Sequence, residues 1–211
     1  MGPRLNCEAG LTSEAGGAGQ TPLRPDPRRT SSVKRIVADA KRCLACRTCE
    51  LACALAYADS DDLVRTVLSH RAGPRIYIEA AGRLAVPLQC RHCADAPCLR
   101  VCPSAALWRP DEAGPVLVRQ ERCIGCAFCV QACPFGVIRV ARWTQTDATD
   151  KGLAILKCDL CQRQQAAGQP PACVASCPVQ ALKLEEVEEG ARRMRAITAA
   201  GIGADGDGDA H

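Results

Sequence analysis

The chain has 211 residues, few aromatic side chains, 17 cysteines and a formal net charge of +4. Its length suits one domain or two small intertwined ones. At this density of cysteine a short secreted protein would be cross-linked by disulfides. Three features exclude that class: no secretory apolar stretch lies near the N-terminus, the cysteines fall in C-x2-C pairs, and their number is odd. The composition therefore predicts metal ligation in a reducing compartment, which places the protein in the cytoplasm.

Residues 1–32 are rich in Gly, Pro, Ser, Thr and Arg and are predicted to form a disordered extension. Cys7 lies in this extension, far from every motif, and is predicted to be a free thiol. The pair Arg28-Arg29 resembles an export signal, but no apolar stretch follows it, so the pair is not interpreted as one.

The folded part is predicted to begin with a short strand over 33–38. The first motif, C-x2-C-x2-C-x3-C at 43–53, follows and runs into a helix that continues toward Ala58. A polar insertion is expected over 59–71. Residues 75–79 and 84–88 then predict a hairpin with its turn at Gly82.

The second motif, C-x2-C-x4-C-x3-C-P, spans 90–103, and a hairpin over 105–109 and 115–119 with a turn at 111–114 should follow it. The third motif occupies 123–134, with a strand pair over 137–143 and 153–157 behind it. The fourth motif is C-x2-C at 158–161 and C-x3-C-P at 173–178, interrupted by a Gln-rich surface insertion. A charged helix over 184–199 and a disordered tail from Gly201 complete the predicted order.

The third motif, C-x2-C-x2-C-x3-C-P, has the spacing of bacterial ferredoxins, in which three thiolates hold one [4Fe–4S] cluster and the fourth binds a neighbouring cluster. Gly125 allows the ligand loop to turn sharply. Pro134 has no N–H and helps to end the short helix beside Cys133. A zinc site or a disulfide knot is the alternative interpretation of the same cysteines.

The four motifs form a repeated pattern. The linker 103–122 between the second and third motifs has the length found in a two-cluster ferredoxin, so we pair these two motifs. The first and fourth motifs then pair with each other. Exchange of the fourth cysteines then gives four ligand sets. Set A is Cys43, Cys46, Cys49 and Cys177; set B is Cys53, Cys158, Cys161 and Cys173; set C is Cys90, Cys93, Cys98 and Cys133; set D is Cys102, Cys123, Cys126 and Cys129.

The sequence therefore predicts four [4Fe–4S] clusters in an α+β fold of two nested ferredoxin-like units, built from short helices and β-hairpins. Residues 90–133 form one unit and 43–53 with 158–177 the other, within a domain at 33–184 that is followed by a helix and tail at 185–211.

The stretches Lys41–Ala54 and Pro87–Cys98 resemble the four-cluster iron–sulfur subunits of dimethyl sulfoxide reductase-type, formate dehydrogenase, formate hydrogenlyase and carbon monoxide dehydrogenase complexes. They are most similar to the small branch associated with carbon monoxide dehydrogenase and hydrogenases. The resemblance covers about residues 33–184 and implies the nested ligand pairing. It also implies a catalytic redox subunit as partner: carbon monoxide dehydrogenase, a hydrogenase, a molybdenum or tungsten enzyme, or an aldehyde oxidoreductase.

Bound clusters would reverse the sign of the net charge. Each oxidised cluster with its four thiolates carries about −2, so four of them change the formal +4 of the chain to roughly −4. Nucleic-acid binding is therefore not predicted. No nucleophile–base arrangement, phosphate loop or dinucleotide fingerprint occurs, so no catalytic residue is predicted. His92 is interpreted as a packing residue beside the ligands, and Glu50 and Asp95 as surface charges. No transmembrane segment is expected, although docking to a membrane complex stays open.

The predicted function is electron relay between a catalytic redox subunit and a second donor or acceptor such as a hydrogenase or membrane complex. Two other classes are considered. A zinc scaffold for protein interactions would contain zinc and no sulfide. A redox sensor with labile clusters would carry a regulatory or DNA-binding domain, and no such domain is visible in the sequence.

Overall fold

The computed structural model describes residues 33–58, 62, 64, 73–142 and 153–205. All of them lie in the unit Ser32–His211. Within these ranges short helices alternate with eight strands, and the strands form two-stranded antiparallel sheets. The predicted α+β class is therefore confirmed. The N-terminal extension, Cys7 and nearly all of the predicted insertion at 59–71 lie outside the described residues.

Most helices and strands are short, as expected of a chain in which cysteine motifs recur at short intervals. The strands are β1 (Lys34–Ala38), β2 (Ile76–Ala81), β3 (Leu84–Gln89), β4 (Leu107–Trp108), β5 (Leu117–Val118), β6 (Arg139–Arg142), β7 (Leu153–Leu156) and β8 (Leu182–Glu186). The helices are α1 (Thr48–Leu55), α2 (Pro97–Arg100), α3 (Phe128–Ala132), α4 (Gln162–Ala166), α5 (Ala172–Ala175) and α6 (Val187–Asp205), with a 3₁₀ turn at Gln120–Arg122.

Three hairpins lie where the sequence predicts them. β2 pairs with β3 around Gly82, which has a φ of 59°. β6 pairs with β7, and β4 pairs with β5. The β4–β5 ladder is only two residues long, shorter than predicted. It is flanked by Pro110 and Pro115, which cannot donate to a ladder, and the N–H of Val116 bonds to His92 instead.

The first and last strands of the described domain pair with each other. β1 runs antiparallel to β8, with Ile36 opposite Leu184 and Ala38 opposite Leu182. Ile36 and Leu182 are both buried, and burial stabilises each by about 1.5–3 kcal/mol. This sheet holds together residues that lie almost 150 positions apart in the chain.

Two apolar clusters form the core, and thiols make up a large part of each. The first includes Ile36, Ile76, Ile78 and Leu182 with Cys49, Cys53, Cys158 and Cys173. The second includes Leu107, Val116, Ile138 and Ile155 with Cys98, Cys123 and Cys129. Cysteine thus occupies positions that larger aliphatic side chains fill in most cores, which leaves room for another group beside the sulfurs.

The C-terminal region differs from the prediction at its boundaries. Residues 184–186 belong to β8, so α6 begins at Val187, and it continues to Asp205 instead of ending near residue 199. Gly201 and Gly203 lie inside this helix although glycine is a poor helix former. Their neighbours Ala199, Ala200 and Ala204 have high helix propensity, which outweighs the low helix propensity of the two glycines.

Candidate metal centres

Each C-x2-C loop has the same backbone shape. The residue just before the second cysteine is Ala45, His92, Gly125 or Leu160, and φ is positive in all four, between 48° and 73°. Only Gly125 adopts this conformation without a steric cost, which is about 1–2 kcal/mol for other residues. The surrounding contacts therefore maintain the turn in the other three loops.

A short helix follows each loop and carries the next thiol inward. Cys49, Cys98, Cys129 and Cys173 lie on α1, α2, α3 and α5, and all four are buried. Three of the four motifs then end in Cys-Pro. Helix α3 stops before Cys133, whose backbone is extended because Pro134 disfavours the helical conformation at the preceding residue.

The segments after Cys-Pro repeat a second shape. Ala105, Gly136 and Gln180 have positive φ, and the N–H of each returns to the carbonyl of the cysteine three residues earlier. The backbone thus repeats a loop, a helix and a tight turn. These repeats agree with the duplication of the cysteine motifs in the sequence.

Three cavities are each lined by four cysteines, three from one motif and one from another. Their cysteines are Cys43, Cys46, Cys49 and Cys177; Cys90, Cys93, Cys98 and Cys133; and Cys102, Cys123, Cys126 and Cys129. In the same order, the cavities enclose about 310, 320 and 330 Å³ of space free of protein atoms, part of it open to solvent. Their similar size suits one kind of group in each. Across the described ranges no group of three His, Cys, Asp or Glu side chains is arranged to hold a single metal ion.

The remaining four thiols also lie near one another. Burial is the main reason that the pKa of Cys173 is raised, and the charges of Cys158, Cys53 and Cys161 raise it further. The backbone N–H of Arg75 donates to Cys53 Sγ at 3.3 Å, and that of Leu160 to Cys158 Sγ at 3.4 Å. This fourth group lies deeper than the others, because Cys53, Cys158, Cys161 and Cys173 are all buried.

The buried thiols resist ionisation in the protein alone. Burial raises the pKa of Cys49, Cys53 and Cys129 to about 11, and it raises the pKa of Cys158 and Cys173 still further. Iron binds thiolate, so cluster binding displaces these protons and supplies the positive charge that the buried sulfurs lack. The donor set is soft thiolate throughout, the set that iron–sulfur clusters use.

Hydrogen-bond donors reach sulfurs of sets A, B and C, and the Ser104 hydroxyl lies 3.8 Å from Cys102 Sγ of set D. The backbone N–H groups of His92 and Ala181 donate to Cys90 Sγ and Cys177 Sγ at 3.3 and 3.2 Å. The Thr48 hydroxyl donates to Cys46 Sγ at 3.4 Å and lowers the pKa of that exposed thiol. Such bonds stabilise negative charge on sulfur and tune the reduction potential of a bound cluster.

His92 has a packing role, as the sequence suggests. It is fully buried, and its Nδ1 accepts the Val116 N–H at 3.0 Å. Its carbonyl accepts from the Arg35 guanidinium at 2.9 Å. Burial, followed by the charges of Lys157, Arg35 and Arg109, lowers the pKa of His92 to about 2, so the imidazole is neutral.

The interpretation of Glu50 as a solvated surface charge is wrong. Its carboxylate accepts the backbone N–H of Ile78 at 2.6 Å and pairs with Arg47 at 3.1 Å, so it joins α1 to β2. Asp95 does lie at the surface, where it pairs with Arg100 at 3.3 Å. The difference arises because the partner of Glu50 lies 28 residues away, on a strand whose position the local sequence does not reveal.

Sequence reasoning also missed a polar network beside the buried thiols of the fourth motif. The Tyr57 hydroxyl donates to the Asp159 carboxylate and lies 3.8 Å from Cys161 Sγ. The Arg75 guanidinium lies over the Tyr57 ring, 3.1 Å from its centroid. These three residues come from separate segments, so no motif could have revealed them.

Comparison with known proteins agrees with this geometry. Residues 82–187 match the family model of the 4Fe-4S dicluster domain. The chain is 38% identical to electron transport protein HydN of Escherichia coli K12 over 175 residues, which cover 77% of this chain and 97% of HydN. It is 38% identical to an iron-sulfur protein of Rhodospirillum rubrum over 72% of this chain and 82% of that one. It is also 40% identical to the thiosulfate reductase electron transfer subunit PhsB of Salmonella typhi, over 72% of this chain and 74% of PhsB.

The fold, the converging thiols and these similarities define an iron–sulfur electron carrier. The chain belongs to the 4Fe-4S dicluster domain family of electron-transfer proteins, and its cofactors are [4Fe–4S] clusters. The predicted electron-transfer role, without a catalytic function of its own, is thereby confirmed. No helix among the described residues combines the length and the apolar character needed to cross a bilayer.

Proposed function

We propose that the chain binds four [4Fe–4S] clusters, one in each of sets A, B, C and D, and conducts electrons through them in series. The observation that carries this proposal is the lining of the three cavities. Each combines three cysteines of one motif with one cysteine of another, in the combinations predicted for sets A, C and D. The mutual proximity of the remaining four thiols supports set B.

The nested organisation has independent support from the core. Cysteines of the first and fourth motifs pack in one apolar cluster, and those of the second and third motifs pack mainly in the other. The pairing of β1 with β8 joins the two chain segments that flank the inner unit 90–133 in the sequence. We propose that 33–184 forms the cluster-binding domain on this plan, with 185–211 as an addition to it.

The neighbours of the sulfurs support one order for the relay. Cys49 of set A acts on the pKa of Cys173 of set B, which burial raises. Cys90 of set C acts in the same way on Cys158 of set B, and Cys98 of set C on Cys129 of set D. The proposed order is therefore A, B, C and D, with sets A and D at the ends.

The clusters supply one-electron chemistry between the 2+ and 1+ states. The chain's own residues hold them in sequence, bury the thiols of set B and donate hydrogen bonds to ligand sulfurs. At the two ends Cys46 and Cys126 are exposed, and exposed Leu44 and Ile124 lie beside them. These loops suit contact with donor and acceptor.

We propose that the chain serves a larger oxidoreductase as its electron-transfer subunit. The similarity to a thiosulfate reductase electron transfer subunit supports a catalytic redox subunit as partner. The candidates are those that the sequence suggests: carbon monoxide dehydrogenase, a hydrogenase, a molybdenum or tungsten enzyme, or an aldehyde oxidoreductase. Anaerobic capture of the full chain with its partner, identified by mass, distinguishes among them.

The ligand exchange is tested with Cys129→Ala and Cys133→Ala, which alter the same motif. We expect about sixteen irons in the wild-type chain and loss of a different cluster in each variant, because Cys129 belongs to set D and Cys133 to set C. Electron paramagnetic resonance during a redox titration identifies the missing signal. Loss of the same signal in both variants contradicts the pairing, and zinc without sulfide contradicts cluster binding by this chain.

A further inference from the structure

A lysine is buried between the two central ligand sets. Lys157 directly precedes Cys158 of set B, and only 3% of its surface is exposed. Its Nζ donates to the carbonyls of Val116 and of Cys158, the latter at 2.9 Å. Val116 lines the cavity of set C. The ammonium is therefore attached to the walls of both central sites.

No carboxylate in the described part of the chain forms an ion pair with Lys157. The ion pairs found there join Arg47 to Glu50, Arg100 to Asp95 and Arg193 to Glu185, and all three lie away from Lys157. Two carbonyls accept from its ammonium, but a buried cation is costly unless an anion lies close by. A counter-charge in contact with Lys157 is thus missing among the described side chains.

The field of the ammonium reaches ligands on both sides. Its Nζ bonds to the carbonyl of Cys158 itself and to that of Val116, which lines the same cavity as Cys98. Cys158 belongs to set B and Cys98 to set C. The positive charge therefore stabilises negative charge at two neighbouring sites.

Other cations reinforce this field on the side of set C. Arg35 donates to the carbonyl of His92, and Arg109 donates to the carbonyl of Cys93. The imidazole of His92 between them is buried and makes its bond to a backbone N–H. Lys157 differs from both arginines because its ammonium contacts residues of the walls of sets B and C together.

We propose that Lys157 is the shared counter-charge of the two central clusters, and that it holds their reduction potentials high enough for electrons to cross the middle of the relay. This inference rests on the proposed function. Each cluster carries about −2 when oxidised and −3 after it accepts one electron from the reduced donor, so a fixed positive charge favours the reduced form. Lys157 itself gains neither an electron nor a proton.

The test is a redox titration of the intact holoprotein, followed by electron paramagnetic resonance, in Lys157→Met and Lys157→Arg. Methionine retains the apolar stem without the charge, whereas arginine retains the charge. For Lys157→Met we expect two of the four clusters to become at least tenfold harder to reduce, a fall of about 59 mV for a one-electron couple. Lys157→Arg should stay near the wild type. Lys34→Met, the same change at an exposed lysine on β1, should shift none.

The two affected signals should be those that disappear in Cys53→Ala and in Cys133→Ala. Unchanged potentials in a Lys157→Met protein with full iron content overturn the inference and leave the four-cluster proposal intact.

If the Lys157→Met protein does not load its clusters, Lys157→Gln is used instead, since the glutamine amide can still donate to a carbonyl. If both neutral variants lose the two central clusters and Lys157→Arg keeps all four, the counter-charge is supported. If Lys157→Arg loses them as well, Lys157 has only a packing role. Fewer than four clusters in the wild type would contradict the proposed function instead.

Discussion

The ends of the proposed relay and its centre are built differently. At the ends, Cys46 and Cys126 are exposed, and exposed Leu44 and Ile124 lie beside them. In the centre, Cys158 and Cys173 are buried, and the buried Lys157 directly precedes Cys158. The ends are thus accessible to other proteins, whereas the centre depends on internal groups for its electrostatics. This difference separates partner exchange from internal conduction.

The largest difference between centre and ends should appear when one ligand is removed from each. Cys173→Ala leaves a buried set B without a thiolate and without access for a replacement, so we expect loss of about four irons and a fall in melting temperature of at least 5 °C, since each kcal/mol shifts it by about 2–4 °C at this size. In Cys46→Ala, water can occupy the exposed position of set A, and the melting temperature should change by less than about 2 °C.

Iron analysis and thermal unfolding of both variants under anaerobic conditions measure this contrast. The wild-type chain is the reference for iron content, and Cys126→Ala repeats the exposed substitution at the opposite end, in set D. Equal destabilisation by Cys173→Ala and Cys46→Ala would show that centre and ends do not differ in their dependence on bound metal.

Local features of this structure could be predicted from the sequence, and distant ones could not. The β2–β3 hairpin lies where the turn at Gly82 indicated it, and β6 pairs with β7 as the predicted strand pair. The cysteine motifs predicted three thiols of each set, and the repeats together with the length of the linker 103–122 predicted the fourth. The αL conformation of Ala45 and Leu160 was missed, because neither residue type signals it.

The charges around the centre were missed for a different reason. The contact of Arg35 with His92 spans 57 residues, and that of Lys157 with Val116 spans 41. Such contacts depend on how the two units pack together, which no single motif encodes. A lysine before C-x2-C looks like an ordinary polar residue until the surrounding elements bury it.

A smaller effect should follow from changes at the exposed ends. Leu44→Glu or Ile124→Glu places a charge in a loop that we expect to contact a redox partner, so electron transfer with that partner should slow about tenfold, equivalent to roughly 1.4 kcal/mol of lost apolar contact. Stopped-flow reduction by the purified partner measures the rate, and a titration should show the cluster potentials nearly unchanged.

Leu84→Glu is the matched control, because Leu84 is also exposed but lies at the tip of the β2–β3 hairpin and away from the ligand loops. The end loops are not docking surfaces if Leu84→Glu slows transfer as much as Leu44→Glu and Ile124→Glu do. If only one of the two loop variants slows transfer from a given partner, that loop identifies the end of the relay at which the partner binds.

The smallest effect concerns one hydrogen bond at one end. The Thr48 hydroxyl donates to Cys46 Sγ at 3.4 Å and so favours negative charge on that sulfur. Thr48→Val removes the donor with little change in shape, and the potential of the set A cluster should fall by about 20–60 mV, the equivalent of 0.5–1.5 kcal/mol. Thr48→Ser keeps the hydroxyl and should restore the potential. Because the bond lies at the exposed end, the potentials of the two central clusters should stay unchanged; an equal shift in all four would mean that Thr48 acts on the fold rather than on Cys46.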